Sequence, residues 1–123
     1  MIIGIGCDII SISRIKRAID RNPALAERLF TPHELVYCSQ KANPAQSYAA
    51  RFAAKEAVLK ALGTGWAQQL SWQEIEIFNN ELGSPEIKLQ GKAQKRAETL
   101  GATRCLLSLS HDADLAIAYV ILE

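Results

Sequence analysis

The residues in this sequence best placed for chemistry are a carboxylate and an ammonium four positions apart. Glu56 and Lys60 stack on one face of a helix. There they could set an acid on a hard metal ion and a cation on a phosphate beside it. The plain account of such spacing is a solvated ion pair, with Arg51 and Lys55 as a neighbouring cationic pair. Asp8 ends the run Gly4-Ile5-Gly6-Cys7-Asp8, whose glycines allow a second backbone or a ligand to come close. A solvent-facing turn acid is the simpler reading there. Gly63-Thr64-Gly65 follows a helix, so it matches neither phosphate-binding glycine loop, both of which precede one. A nucleotide meeting it would need cations supplied from elsewhere, because the helix dipole is negative at that end. Ser110 and His111 are adjacent on a strand and point to opposite faces, which argues against a nucleophile–base pair. His111 is then a surface histidine or a phosphate or substrate contact.

The elements that must position these residues follow from pattern. An isoleucine-rich strand is expected over 2–11. Ser13 is expected to cap a helix reaching about residue 22, and Arg14, Arg17 and Arg21 line one side of it as a basic stripe. Pro23 can open a short helix over 24–29. Thr31-Pro32-His33-Glu34 has the spacing of a capping box. Asn43-Pro44 precedes the longest helix, 45–62, and Gly63 stands where a left-handed C-cap belongs. Residues 72–78 and 86–90 alternate in steps of two around a turn-rich 79–85, which predicts an antiparallel hairpin. A helix over 92–100, ended by Gly101, precedes a closing hairpin of 104–110 and 115–122 around 111–114. This order predicts a single α+β domain over 1–123, with helices packed on a mainly antiparallel sheet.

Composition bounds the rest. At 123 residues, 49% of them hydrophobic, the chain can bury a real core without staples. A net charge of +1 and the lack of aromatics among the arginines argue against a nucleic-acid binder. The apolar stretches fall well short of the ~20 residues that a membrane span needs, and the start of the chain has no basic n-region. Three widely separated cysteines, Cys7, Cys38 and Cys105, have no zinc or disulfide pattern and suit a reducing, cytoplasmic setting.

Taken together, several blocks resemble one family. They are Gly4-Ile5-Gly6-Cys7-Asp8-Ile9 with Arg14-Ile15, then Thr31 with Glu34-Leu35. Arg51-Phe52-Ala53-Ala54-Lys55-Glu56-Ala57 follows, with Lys60-Ala61 and Gly63-Thr64-Gly65, and finally Ser108 with Ser110-His111. In this order they resemble the bacterial holo-acyl-carrier-protein synthases, the short 4′-phosphopantetheinyl transferases. The resemblance implies transfer of the phosphopantetheine arm of coenzyme A to a serine of apo-acyl carrier protein, within fatty acid biosynthesis, with release of adenosine 3′,5′-bisphosphate. It implies that Asp8 and Glu56 hold Mg²⁺ and that Lys60 contacts the diphosphate, with Glu56 and Lys60 as the catalytic residues. Glu56, or a water it orients on the metal, would take the serine proton. Arg51 and His111 would meet the coenzyme's phosphates, and Gly63, Thr64 and Gly65 would lie near its nucleotide end. The stripe of Arg14, Arg17 and Arg21 would receive the acidic carrier protein. The family's short members are homotrimers with active sites between subunits, so the same is expected here. A carrier from polyketide or peptide synthesis, or a non-enzymatic coenzyme-binding module, would fit the same residues.

Overall fold

Alternation dominates the end of the chain, and it builds the sheet against which the longest helix packs. In a computed structural model, which describes residues 1–63 and 70–123, three antiparallel strands form one sheet in the order β1–β5–β4. They are β1 (Gly4–Ser11), β4 (Cys105–Asp112) and β5 (Leu115–Leu122). Ala116, Ala118, Val120 and Leu122 of β5 are buried, so every second residue turns to one face. A second, two-stranded antiparallel sheet pairs β2 (Ile75–Asn79) with β3 (Pro85–Leu89). The α+β architecture with antiparallel pairing is thus the one expected from the sequence.

Between the two sheets runs α4 (Pro44–Leu62). It is buried on most sides, with Ala49, Ala53, Ala54, Ala57 and Val58 fully enclosed, as befits a helix central to the core. One core cluster joins it to Ile75 and Ile77 of β2, to Ala93 and Ala97 of α5 (Gly91–Thr99), and to β5. Asn43 caps α4 at its start, and Gly63 closes it with φ at 69°, the left-handed region that glycine enters without strain.

The smaller helices α1 (Ile12–Arg21), α2 (Ala24–Leu29) and α3 (Pro32–Ser39) wrap the first half of α4. Thr31 and Glu34 make the expected capping box at α3. The cap of α1 differs from expectation. Ser11 accepts from the Arg14 amide, while the Ser13 hydroxyl and amide both donate to Asp114 in the β4–β5 turn (2.7 and 2.9 Å). The closing hairpin is also tighter than predicted: β4 runs through His111 and Asp112, leaving Ala113 and Asp114 as the turn. Trp72–Glu74 forms a 3₁₀ turn instead of strand, because Ser71 and Glu74 make a second capping box.

Candidate active site

The approach of β1 to α4 sets the geometry of the site. A Cβ on Gly4 would lie 2.2 Å from the Ala61 carbonyl oxygen, and one on Gly6 would lie 1.8 Å from that of Ala57. Strand and helix therefore meet backbone to backbone. Two strand residues advance about 6.6 Å and one helical turn about 5.4 Å, so this contact steps down the helix one turn for every second strand residue. Asp8 is the next residue on the same side of β1, paired in register with buried Ala118. Its carboxylate reaches along α4 to Lys60, one turn beyond Glu56.

Lys60 closes the gap. Its Nζ donates to the Cys7 carbonyl (2.9 Å) and to Asp8 Oδ1 (3.2 Å). The other carboxylate oxygen, Asp8 Oδ2, is buried and has no hydrogen-bond partner among the described residues. Glu56 is half-buried, and its carboxyl is held above the ordinary value. Burial is the main cause and the neighbouring Asp8 charge the second, while Lys60 acts in the opposite direction. Two carboxylates thus face one region with a single ammonium between them, an arrangement suited to a hard divalent cation. Among the described residues no group of three or more metal-ligating side chains occurs.

Arg51, about two and a half turns before Lys60, faces the opposite side of α4. It is 4% exposed; its Nη2 donates to Asn79 Oδ1 (2.8 Å), and its guanidinium stacks 4.1 Å from the centre of the Tyr37 ring. It lines a cleft of about 640 Å³ with Asn79, Ser84, Ser110 and His111. The structure therefore brings Asp8, Glu56 and Lys60 together in one cluster, and Arg51 and His111 in another. Among the described residues that line the cleft, none belongs to the first cluster. Gly63 sits at the end of α4 near the Arg96 guanidinium, whose Nε donates to the Leu62 carbonyl (3.1 Å). Arg96 is a cation at this helix end that sequence reasoning did not anticipate. Thr64 and Gly65 lie outside the described residues.

Lys55 is not part of a solvated cationic face. It is fully buried, and its three donors reach Glu34 Oε1 (2.6 Å), the Leu29 carbonyl (2.8 Å) and the Trp72 carbonyl (3.1 Å). Glu34 also accepts from the Thr31 and Ile77 amides, both at 2.8 Å. One ion pair therefore ties α2, α3, α4 and β2 together behind the site. Arg14, Arg17 and Arg21 are all exposed on α1. Burial pushes the Cys38 and Cys105 thiols up to about 11, so neither is a reactive thiolate at neutral pH.

The chain as a whole has counterparts in known proteins. The sequence pattern described as the 4′-phosphopantetheinyl transferase superfamily matches residues 4–120. The chain belongs to this superfamily. It is 52% identical over 124 residues to the holo-[acyl-carrier-protein] synthase of Geobacter sulfurreducens, covering 100% of this chain and 98% of that protein. A Clostridium acetobutylicum holo-[acyl-carrier-protein] synthase is 49% identical with equal coverage. In three dimensions the chain superposes on the crystal structure of the Neisseria meningitidis holo-[acyl-carrier-protein] synthase with a TM-score of 0.91, at 41% identity and 100% and 99% coverage. The Helicobacter pylori synthase, crystallised with coenzyme A, gives 0.84 at 36% identity, with 97% and 99% covered. The protein is thus an enzyme of the phosphopantetheinyl transferase type. No helix among the described residues is long and apolar enough to cross a membrane.

Proposed function

We propose that this transferase moves the 4′-phosphopantetheine arm of coenzyme A onto a serine of apo-acyl carrier protein and releases adenosine 3′,5′-bisphosphate. The observation that carries the reading is the convergence of Asp8, Glu56 and Lys60, in a chain that aligns end to end with holo-acyl-carrier-protein synthases. The serine oxygen bonds to the pantetheine-side phosphorus. The bond from that phosphorus to the bridging oxygen breaks, and the bridging oxygen leaves with the bisphosphate.

Asp8 and Glu56 fit Mg²⁺. The buried, unpartnered Asp8 Oδ2 is an oxygen donor in want of a cation, and Mg²⁺ commonly takes one or two protein carboxylates plus water and substrate oxygens. When bound, the ion would neutralise charge building on the diphosphate. Lys60 stands within reach of the same space and binds a diphosphate oxygen with its exposed ammonium. Glu56, its carboxyl raised by burial and by Asp8, takes the serine proton or passes it to a water that it orients. Arg51 and His111 hold phosphates of the coenzyme at the cleft. Gly63 flanks the nucleotide end.

The two clusters become one site by assembly. The outer face of the three-stranded sheet is apolar and exposed, with Ile5, Ile9, Leu106, Leu115, Tyr119 and Ile121 all turned to solvent. A contiguous exposed apolar face of this kind marks a protein interface. Homotrimerisation through this face would set the Asp8–Glu56–Lys60 cluster of one subunit beside the Arg51–His111 cleft of its neighbour. The exposed arginines of α1 would receive the acidic carrier by charge complementarity. Three cysteines without disulfides fit a cytoplasmic enzyme of fatty acid biosynthesis.

Incubation with coenzyme A, Mg²⁺ and an apo-acyl carrier protein, read by intact mass, tests the proposal. The expected result is one phosphopantetheine added to the carrier and one equivalent of bisphosphate released, with neither in the presence of a chelator. Coenzyme binding without release would reject the enzymatic reading.

A further inference from the structure

We propose that Asn79 is a positioning residue for coenzyme binding: it sets the in-plane orientation of the Arg51 guanidinium so that its remaining N–H groups meet a coenzyme phosphate. The inference rests on the reading that Arg51 binds the coenzyme's phosphates. Arg51 has five N–H donors in a planar fork. Among the described residues, its recorded hydrogen bond is the 2.8 Å contact from Nη2 to Asn79 Oδ1, and its buried Nε has no partner. A side chain only 4% exposed that keeps unused donors on the wall of a 640 Å³ cleft is built to receive an acceptor from outside the chain.

Two contacts orient it. The Tyr37 ring, 4.1 Å from the guanidinium carbon, covers one face of the fork but offers no directional hydrogen bond to set its rotation. Asn79 supplies the missing constraint. Its own carboxamide is locked, because Nδ2 donates to the Gly83 carbonyl (2.9 Å), which leaves Oδ1 facing Arg51. The turn that holds Gly83 is braced in turn by Asn80, whose Oδ1 accepts from the Leu82 and Ser84 amides (2.9 and 3.0 Å). Its backbone amide also donates to the Ser84 carbonyl (2.9 Å). The β2–β3 turn therefore serves the cleft twice, once as wall through Ser84 and Pro85 and once as the anchor of the arginine. Charge-assisted recognition of phosphate by arginine depends on this angular alignment.

Adenosine 3′,5′-bisphosphate binding to the full-length protein, measured by calorimetry alongside the KM for coenzyme A, tests the inference. Asn79→Ala should weaken the bisphosphate about tenfold and raise KM by a similar factor, with kcat changed less than threefold. In an Arg51→Met background, the same Asn79→Ala change should alter affinity less than twofold. Wild-type affinity in Asn79→Ala, or equal weakening in both backgrounds, overturns the positioning role. If Arg51→Met alone leaves affinity intact, the reading of Arg51 as a phosphate ligand fails and takes the inference with it. If Arg51→Met weakens binding and Asn79→Ala does not, the inference alone fails. Should Asn79→Ala or Arg51→Met not fold, Asn79→Ser, which keeps a hydroxyl for the Gly83 carbonyl, and Arg51→Gln replace them in the same cycle.

Discussion

Replacing Gly6 with alanine isolates the contact that delivers Asp8 to α4. The added Cβ would sit 1.8 Å from the Ala57 carbonyl oxygen, 2.8 Å from its carbon and 3.0 Å from the Ala61 nitrogen. Real Cβ contacts essentially never fall below 3.0 Å, so strand and helix must separate locally by about 1.2 Å. Every clashing atom is backbone, and no rotamer change relieves it. Overpacking of this kind costs about 1–3 kcal/mol, and the upper end is expected because β1 is also tied to β5 along its whole length. Asp8, the proposed metal ligand, lies two residues further along, and misplacing a group at a reacting centre by about 1 Å can cost about 10²-fold in rate. We therefore expect phosphopantetheine transfer to fall about a hundredfold in the folded fraction, together with weaker apparent Mg²⁺ affinity. Intact-mass rates at saturating coenzyme A, with thermal melting on the same samples, provide both measurements. Cys7→Ala, one residue away on the outer face, should change the rate less than threefold. A Gly6→Ala enzyme within threefold of wild type in rate, with an unshifted melting temperature, would refute the geometry.

Lys60→Ala should lower kcat/KM at least tenfold, equivalent to about 1.4 kcal/mol; a wild-type value at saturating Mg²⁺ would remove Lys60 from the mechanism. Arg14→Glu should raise KM for the carrier and flatten its dependence on salt without changing coenzyme affinity, as measured by carrier titration at two ionic strengths. Lys55→Met strands the buried Glu34 carboxylate and should cost about 3–5 kcal/mol in urea unfolding, with part of it recovered in Glu34→Leu/Lys55→Met. The Asp114 carboxyl is held below its ordinary value, chiefly by the Ser13 and Ser11 hydroxyls. Its contribution to stability is therefore full above the unfolded value, about 4, and is lost as the pH falls through the lower folded value. Asp114→Asn should flatten that acid limb of the melting curve.

Local signals carried much of the fold. Thr31 with Glu34, Asn43 with Pro44, and Gly63 each act within four residues, and each does in the structure what its spacing implies. The spacing of Ser71 and Glu74 was equally visible, yet the alternation of 72–78 masked it, and the first three of those residues form a 3₁₀ turn. Other features depend on distant partners. Asp114 takes over Ser13 across 101 positions, so the cap of α1 passes to Ser11. Lys55 looks like any surface lysine until Glu34, 21 residues earlier, is seen to bury with it. The same holds at the site. Gly4 and Gly6 advertised a close approach, but nothing local distinguishes Asn79 from an ordinary turn asparagine, because its role depends on Arg51, 28 residues away. Arg96 is hidden likewise, since its value lies in reaching the end of another helix.

The meeting of Gly4 and Gly6 with the Ala61 and Ala57 carbonyls bears on how the enzyme can vary. A side-chain clash can be relieved by trimming the opposing residue. Here the opposing atoms are peptide oxygens, which all twenty amino acids carry. Selection for revertants of a damaged Gly4 or Gly6 should return glycine itself, and compensating changes at positions 57 or 61 should not arise.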